Sequence, residues 1–283
     1  MSNPLIDSRD AFAASHPEQR IDLNGREWGL CDVGSGPVLL LIPGTLGRGD
    51  IFWQQITALK HRIRVLAVTY PSTGGVADWS GDLVTLMDRL RVEQATVLGS
   101  SLGGYLAQYL AADAPSRVTR LIGANTLCSV AGIDQRMPYA LDLMNAPIAD
   151  LRAGFGMGLS AWAAAHPEQT DLVALLMAEV NGRIPEAELR NRLNATKTAP
   201  DLPAVPLPKA DICTIEADDD PLIPPPMRAA VRERLDPGCA YRFLSGGHFP
   251  YVARPEDYTG LLEQVLGLPL TGSDWGTGKE RAL

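Results

Sequence analysis

Residues 99–103 read G-S-S-L-G and match the pattern G-x-S-x-G. The match lies between a predicted strand, residues 95–99, and a predicted helix, residues 102–112, as a nucleophilic serine at this pattern requires. At such a strand-to-helix turn the residues two before and two after the serine crowd together, so that only glycine fits there. The helix also aims its N-terminal N–H groups at developing negative charge. The pattern therefore predicts Ser101 as a nucleophile, in preference to Ser100, which lacks the symmetric glycine flanks.

A serine hydroxyl needs a base, and a neutral imidazole is the usual one. His248 follows two glycines in a loop between a predicted strand, residues 240–244, and the last predicted helix, residues 256–266. Reactive groups of α/β sheets lie in loops at the carboxyl ends of strands, so His248 is the predicted base. The other histidines stand in polar or helix-end contexts and are interpreted as surface residues: His16, His61 and His166.

Three adjacent aspartates follow the predicted strand at residues 211–217. This position gives the chain order serine, aspartate, histidine. Asp220 stands directly before a Pro-Leu-Ile-Pro turn and is the favoured acid, while Asp218 and Asp219 remain alternatives. The acid would hold the imidazole tautomer and stabilise the imidazolium without taking the proton.

Residues 43–47 form a glycine-containing loop directly after a continuous apolar run, residues 38–42. Such a run predicts a strand buried on both faces of a parallel sheet. Backbone N–H groups of the loop can then point toward the serine hydroxyl. The N–H groups of Thr45 and Leu102 are the predicted oxyanion donors, each worth about 2.7–4 kcal/mol to a transition state. Gly44 allows the backbone to approach the site closely.

Substrate contacts are predicted at Gly44, which lies within residues 43–47 (the oxyanion loop), and at Phe249, which directly follows the histidine. Phe52 and Trp53 lie just beyond the oxyanion loop and either border the substrate or face the core. Six apolar residues between positions 129 and 209 either line a pocket or pack helices together: Phe155, Met157, Trp162, Leu175, Leu176 and Met177.

Composition restricts the possible partners of this 283-residue chain. A formal net charge of −8 disfavours nucleic acid as a partner. No apolar run approaches the roughly 20 residues that cross a bilayer, and residues 1–20 lack the apolar region of a signal peptide, so we expect a cytoplasmic protein. The four cysteines stand far apart without metal-ligand spacing, which predicts neither disulfides nor a metal site. No cofactor is expected, and the oligomeric state stays open.

Strand-like and helix-like segments alternate within residues 1–128 and again within residues 210–268. Residues 129–209 are mostly helix-like and punctuated by prolines, and residues 269–283 lack periodicity. The pattern predicts an α/β core with a mostly parallel, twisted sheet flanked by helices. We interpret the middle segment as an inserted helical cap and the last as a loose C-terminal tail.

Together the serine, the acid, the histidine and the oxyanion loop make the chain resemble the α/β-hydrolase superfamily over residues 20–268. Residues 70–71, 99–108 and 246–251 are also similar to maspardin and its bacterial relatives, although Pro43 stands where many relatives carry a histidine. The resemblance implies the α/β-hydrolase fold and hydrolysis of an ester, thioester or related acyl bond in a small-molecule substrate. The reaction would pass through an acyl-enzyme and need no cofactor.

The same resemblance leaves other functions open. Similarity to maspardin implies a non-catalytic binding protein on a hydrolase scaffold as an alternative, but His248 is retained here and favours an enzyme. Carbon–carbon bond hydrolases and cofactor-free haloperoxidases share the fold and also remain alternatives. A serine at position 101, rather than an aspartate, disfavours dehalogenases and epoxide hydrolases.

Overall fold

The computed structural model describes residues 3–283, and the nine strands in this range form one sheet. Their order across the sheet is β1-β2-β4-β3-β5-β6-β7-β8-β9. From β4 to β9 neighbouring strands run parallel, whereas β1 pairs antiparallel with β2 and β2 antiparallel with β4. The predicted mostly parallel sheet is confirmed. The strands are β1 (Gln19–Leu23), β2 (Arg26–Gly34), β3 (Val38–Ile42), β4 (Arg64–Thr69), β5 (Ala95–Ser100), β6 (Val118–Ala124), β7 (Ile212–Ala217), β8 (Cys239–Phe243) and β9 (Glu280–Ala282).

Helices cover the sheet, and none within residues 3–283 is long and apolar enough to cross a membrane. Three of them, α5 to α7, lie in residues 129–209, between β6 and β7, and this segment is called the helical insertion below. The α-helices are α1 (Pro4–Ser15), α2 (Trp53–Leu59), α3 (Val76–Arg89), α4 (Leu102–Asp113), α5 (Ile148–Ala165), α6 (Thr170–Ala178), α7 (Glu186–Lys197), α8 (Pro225–Leu235), α9 (Pro250–Ala253) and α10 (Pro255–Leu266).

Strand β3 shows why its sequence is a continuous apolar run. Leu39 and Leu41 belong to one apolar cluster, which α2 and α10 complete. Leu40 and Ile42 belong to a second cluster, completed by α3 and α4. Because successive side chains of a strand point to opposite faces, both faces of β3 are buried and neither can be polar.

The segment predicted as a loose tail, residues 269–283, packs against the sheet instead. Trp275 is only 4% exposed, and its ring lies edge-on to those of Tyr241 and Phe243 at centroid distances of 5.3 and 4.7 Å. Its indole N–H donates to the carbonyl of Asp257 at 2.8 Å. Strand β9 then extends the sheet beside β8. The prediction was wrong because a single buried indole anchors this segment, and one residue produces no periodicity.

Candidate active site

Ser101 occupies the turn between β5 and α4 in a backbone conformation with φ 55° and ψ −119°. A Cβ at Gly99 would lie 1.9 Å from the carbonyl oxygen of Gly103. A Cβ at Gly103 would lie 2.2 Å from the carbonyl oxygen of Ile42. Both glycines of the pattern are therefore required by backbone contact, which is the steric reason given for the spacing of the motif.

Two hydrogen bonds, one with the last residue of β6 and one with a residue just after it, hold the backbone of Ser101. The N–H of Ser101 donates to the carbonyl of Ala124 at 2.9 Å, and the hydroxyl of Thr126 donates to the carbonyl of Ser101 at 2.7 Å. These bonds fix a positive-φ residue that would otherwise relax, because a non-glycine residue is strained there.

His248 and Asp220 form a buried pair with 5% and 6% exposure. His248 Nδ1 lies 2.9 Å from Oδ2 and 3.0 Å from Oδ1 of the carboxylate. The same carboxylate accepts the N–H groups of Leu222 at 2.8 Å and Ile223 at 3.0 Å, and the Asn125 amide at 2.9 Å. Three N–H donors and the imidazole of His248 thus surround the carboxylate.

Opposing effects act on the Asp220 carboxyl. Burial raises its pKa, but the charge and hydrogen bond of His248, the Asn125 amide and the Leu222 N–H together lower the pKa below its ordinary value. The group is therefore a carboxylate at neutral pH and favours a proton on His248 Nδ1. That tautomer leaves Nε2 as a proton acceptor.

The other two aspartates have different partners. Asp219 accepts the N–H groups of residues 246–247 at 3.0 and 2.9 Å and so holds the loop that carries His248. Asp218 lies at the surface, 3.4 Å from Arg242. Of the three candidates, the structure places the third, the favoured one, beside the imidazole.

Asn125 is a residue of the site that the sequence reasoning missed. It directly follows β6 with φ 42°, and its N–H donates to the carbonyl of Ile215 at 2.8 Å. Its side-chain amide bridges Asp220 and the carbonyl of Gly247, the latter at 3.4 Å. An asparagine directly after a parallel strand is a usable signal, since asparagine tolerates the left-handed region better than most residues.

Residues 43–47, the predicted oxyanion loop, lie against Ser101, the predicted nucleophile. A Cβ at Gly44 would be 3.0 Å from the Cβ of Ser101, so glycine permits this approach. The N–H of Gly47 donates to the carbonyl of Gly44 at 3.1 Å and orients the peptide that carries the Thr45 N–H. Gly44, Thr45 and Leu102 all line the same cavity as Ser101. The roles of Thr45 and Leu102 as oxyanion donors stay predictions.

One cavity of about 760 Å³ brings these residues together, with Ser101 and His248 both in its wall. The hydrogen bonds within residues 3–283 do not include one between these two side chains, a contact that often tightens only once substrate is bound. Most of the remaining wall is apolar and comes largely from the helical insertion. No three His, Cys, Asp or Glu side chains of the described residues are grouped to hold a metal ion.

Four of the predicted pocket residues line this cavity besides Gly44: Phe249, Phe155, Trp162 and Leu176. Trp162 lies against the loop of the histidine, because a Cβ at Gly247 would be 2.8 Å from its ring. Its own ring stacks on His166 at 3.8 Å, and this histidine, interpreted as a surface residue, also lines the cavity.

Phe52 and Trp53 do not line the cavity. Phe52 is fully buried against Tyr251 at a centroid distance of 4.8 Å, and the Trp53 indole N–H donates to the hydroxyl of Ser8 at 3.0 Å. Both side chains therefore face the core, the second of the two positions predicted for them. Three residues of the helical insertion also lie outside the cavity wall: Met157, Leu175 and Met177.

The chain belongs to the alpha/beta hydrolase family, whose family model matches residues 39–260. It is similar to a crystal structure of a hydrolase from Pseudomonas aeruginosa PA01, with a TM-score of 0.75 and 24% identity over 89% of this chain and 98% of that one. That likeness concerns the fold.

Among curated proteins, the chain is 25% identical to "Putative carbamate hydrolase RutD" of Escherichia coli O7:K1 over 252 residues, 80% of this chain and 90% of that protein. Two shorter matches each cover 35% of this chain. In the first, the chain is 36% identical to the "Magnesium-chelatase 30 kDa subunit" of Rhodobacter capsulatus over 38% of that protein. In the second, the chain is 33% identical to "Maspardin" of Rattus norvegicus over 41% of that protein. Each of these two matches therefore spans less than half of the relative.

Proposed function

We propose that this protein is a serine hydrolase that cleaves an ester, thioester or related acyl bond through an acyl-enzyme. One observation carries the proposal. The strained turn of Ser101 and the imidazole of the His248–Asp220 pair face the same cavity. A serine, an imidazole and a buried carboxylate in this relation are the parts of nucleophilic acyl transfer.

The reaction would begin with attack of the Ser101 hydroxyl on the acyl carbon while His248 Nε2 takes the proton. The N–H groups of Thr45 and Leu102 would hold the oxyanion of the tetrahedral intermediate. Collapse of this intermediate would release the leaving group, protonated by His248. Water would then attack the acyl-enzyme by the same steps, with His248 as base and then acid, while Asp220 stabilises the imidazolium throughout.

The cavity supports a substrate with an apolar acyl or alcohol group. Its wall carries aromatic and aliphatic side chains close to the reacting residues, among them Phe155, Trp162 and Phe249. A volume of about 760 Å³ is within the range of small-molecule sites. Carbamates belong among the candidate acyl bonds because RutD, by its name, acts on a carbamate.

The alternative is a binding protein that retains the fold without catalysis, as the similarity to maspardin suggests. The two functions differ in what Ser101 does. In the enzyme its hydroxyl forms a bond with the substrate, whereas in the binding protein it is dispensable.

Hydrolysis of p-nitrophenyl esters from acetate to decanoate separates these functions. We expect turnover by the wild type and a loss of kcat on the order of 10⁶-fold in Ser101→Ala, the effect of removing such a nucleophile. Ser100→Ala is the matched control, because Ser100 is adjacent, buried and outside the cavity wall, and it should retain activity. Equal turnover by wild type and Ser101→Ala would exclude a serine hydrolase, and the preferred chain length would report the depth of the cavity.

A further inference from the structure

Arg192, on α7 of the helical insertion, is completely buried. Its Nη1 donates to the carbonyl of Thr45 at 3.1 Å and to the carbonyl of Gly47 at 2.8 Å. Its Nη2 donates to the carboxylate of Glu188, one turn earlier, at 2.9 Å. A buried guanidinium is costly unless its donors are used, and two of its bonds here are made to the oxyanion loop.

A second group holds the same loop from the core. The hydroxyl of Tyr70 donates to the carbonyl of Pro43 at 2.8 Å. The guanidinium of Arg192 lies over the Tyr70 ring, 5.2 Å from its centroid. The two side chains therefore contact one another and, between them, bind three carbonyls of residues 43–47.

These carbonyl contacts determine where the N–H groups of the loop point. In a trans peptide the C=O and N–H bonds point in opposite directions, so fixing the carbonyl also fixes the N–H. The carbonyl of Gly44, whose peptide carries the Thr45 N–H, accepts from Gly47. Arg192 binds the Thr45 and Gly47 carbonyls and so fixes the turn within which this contact forms.

We infer that Arg192 is a positioning residue that holds the Thr45 N–H in the direction needed to bind an oxyanion. The role rests on the proposed hydrolase function. It acts through the loop, because Arg192 is fully buried and does not line the cavity, whereas Thr45 does. The helical insertion would thereby act on the oxyanion loop through a residue outside the cavity wall.

Arginine suits this role better than lysine would. The planar guanidinium presents several N–H groups in a fixed fork and can bind two carbonyls and a carboxylate at once. A lysine ammonium retains the charge but has no rigid fork. Arg192→Lys therefore tests the geometry of the contact separately from its charge.

The matched control is Arg190→Gln on the same helix. Arg190 is bonded to Glu186 and to the carbonyl of Leu143, not to the oxyanion loop. Three experiments compare the two variants with the wild type. They measure kcat and KM on the best p-nitrophenyl ester, the inhibition constant of an alkylboronic acid, and hydrogen exchange of residues 43–49. Boronic acids form tetrahedral adducts with serine and so report oxyanion binding without turnover.

We expect folded Arg192→Lys to lose about 10- to 100-fold in kcat, less than the 10²–10³-fold of losing a donor outright, with KM within about threefold. Its boronic acid inhibition should weaken in parallel, and residues 43–49 should exchange faster than in Arg190→Gln. If Arg192→Lys does not fold, Arg192→Met combined with Glu188→Gln removes both charges and replaces it in the same assays.

A folded variant whose kcat, boronic acid inhibition and loop exchange all match those of Arg190→Gln would overturn the inference. A wild type without Ser101-dependent turnover would refute the proposed function separately. Hydrogen exchange of residues 43–49 does not depend on turnover and would still show whether Arg192 orders the loop. Exchange in Arg192→Lys equal to that in Arg190→Gln would then overturn the inference.

Discussion

At the scale of single residues, three consecutive aspartates show most clearly how the surroundings of a side chain determine its role. Asp220 is buried and hydrogen-bonded to His248, Asp219 binds the backbone of the histidine loop, and Asp218 is exposed. The three side chains are identical, so their roles differ only because their surroundings differ. Substituting them should therefore change the activity of the protein by different amounts.

Asp220→Asn should lower kcat about 10⁴-fold, because an amide favours the wrong imidazole tautomer and does not stabilise the imidazolium. Asp218→Asn is the control and should stay within twofold of the wild type, since its carboxylate lies at the surface. Steady-state kinetics with one p-nitrophenyl ester compares them. Asp220→Asn with wild-type kcat would rule out this residue as the supporting acid.

The pH dependence of stability provides a second test at this scale. Because the folded protein lowers the pKa of Asp220, its carboxylate stabilises the fold above the ordinary aspartate pKa of about 3.9. This contribution is lost as the pH falls through the lower folded pKa. In urea unfolding from pH 5 to pH 3, the difference in free energy of unfolding between wild type and Asp220→Asn should shrink below about pH 4. A difference that grows as the pH falls from 4 to 3 would contradict the assigned direction.

The sequence located the serine, the aspartates and the histidine because each stands beside glycines or prolines at a strand end. It could not identify the distant partners of the groups that orient them. Asn125 lies 95 positions before Asp220, and Arg192 lies 147 positions after Thr45. Such contacts depend on how distant elements meet, and local residue patterns carry no information on that.

At the scale of elements, the β5–α4 turn depends on glycines that touch backbone. Gly103→Ala should reduce the free energy of unfolding by about 1–3 kcal/mol and also impair activity, since its Cβ would press on the carbonyl of Ile42 beside Ser101. Gly81→Ala, within α3, is the control, because its Cβ would meet nothing within 4 Å. That variant should gain about 0.5–1 kcal/mol. Urea denaturation measures the free energy of unfolding of both variants. A Gly103→Ala protein stabilised as much as Gly81→Ala would show that position 103 does not need to lie this close to the carbonyl of Ile42.

Elements differed in how well the sequence predicted them. The apolar run of β3 predicted its bounds, residues 38–42, because burial on both faces leaves no polar position in the strand. Strand β9, with three residues of mixed polarity, has no such pattern and exists because β8 offers it a partner.

At the scale of the whole molecule, residues 269–283 complete the sheet on the side of β8. Trp275→Ala should lower the free energy of unfolding by about 3–5 kcal/mol, because it removes a buried indole from between aromatic rings. Leu270→Ala is the control in the same segment, since Leu270 is 43% exposed and should cost little. Trp275 does not line the cavity, so kcat of the folded variant should stay near that of the wild type. A Trp275→Ala protein as stable as Leu270→Ala would show that this segment is not part of the fold in solution.

The most direct test of the central claim is covalent labelling with an alkyl fluorophosphonate, followed by peptide mass spectrometry. An activated serine attacks phosphorus and expels fluoride, so the wild type should carry one adduct on the peptide that contains Ser101. Ser100→Ala should label equally, and Ser101→Ala should not label at that peptide. Absence of an adduct from folded wild type, or equal labelling of Ser101→Ala, would contradict the claim that Ser101 is the nucleophile of a serine hydrolase.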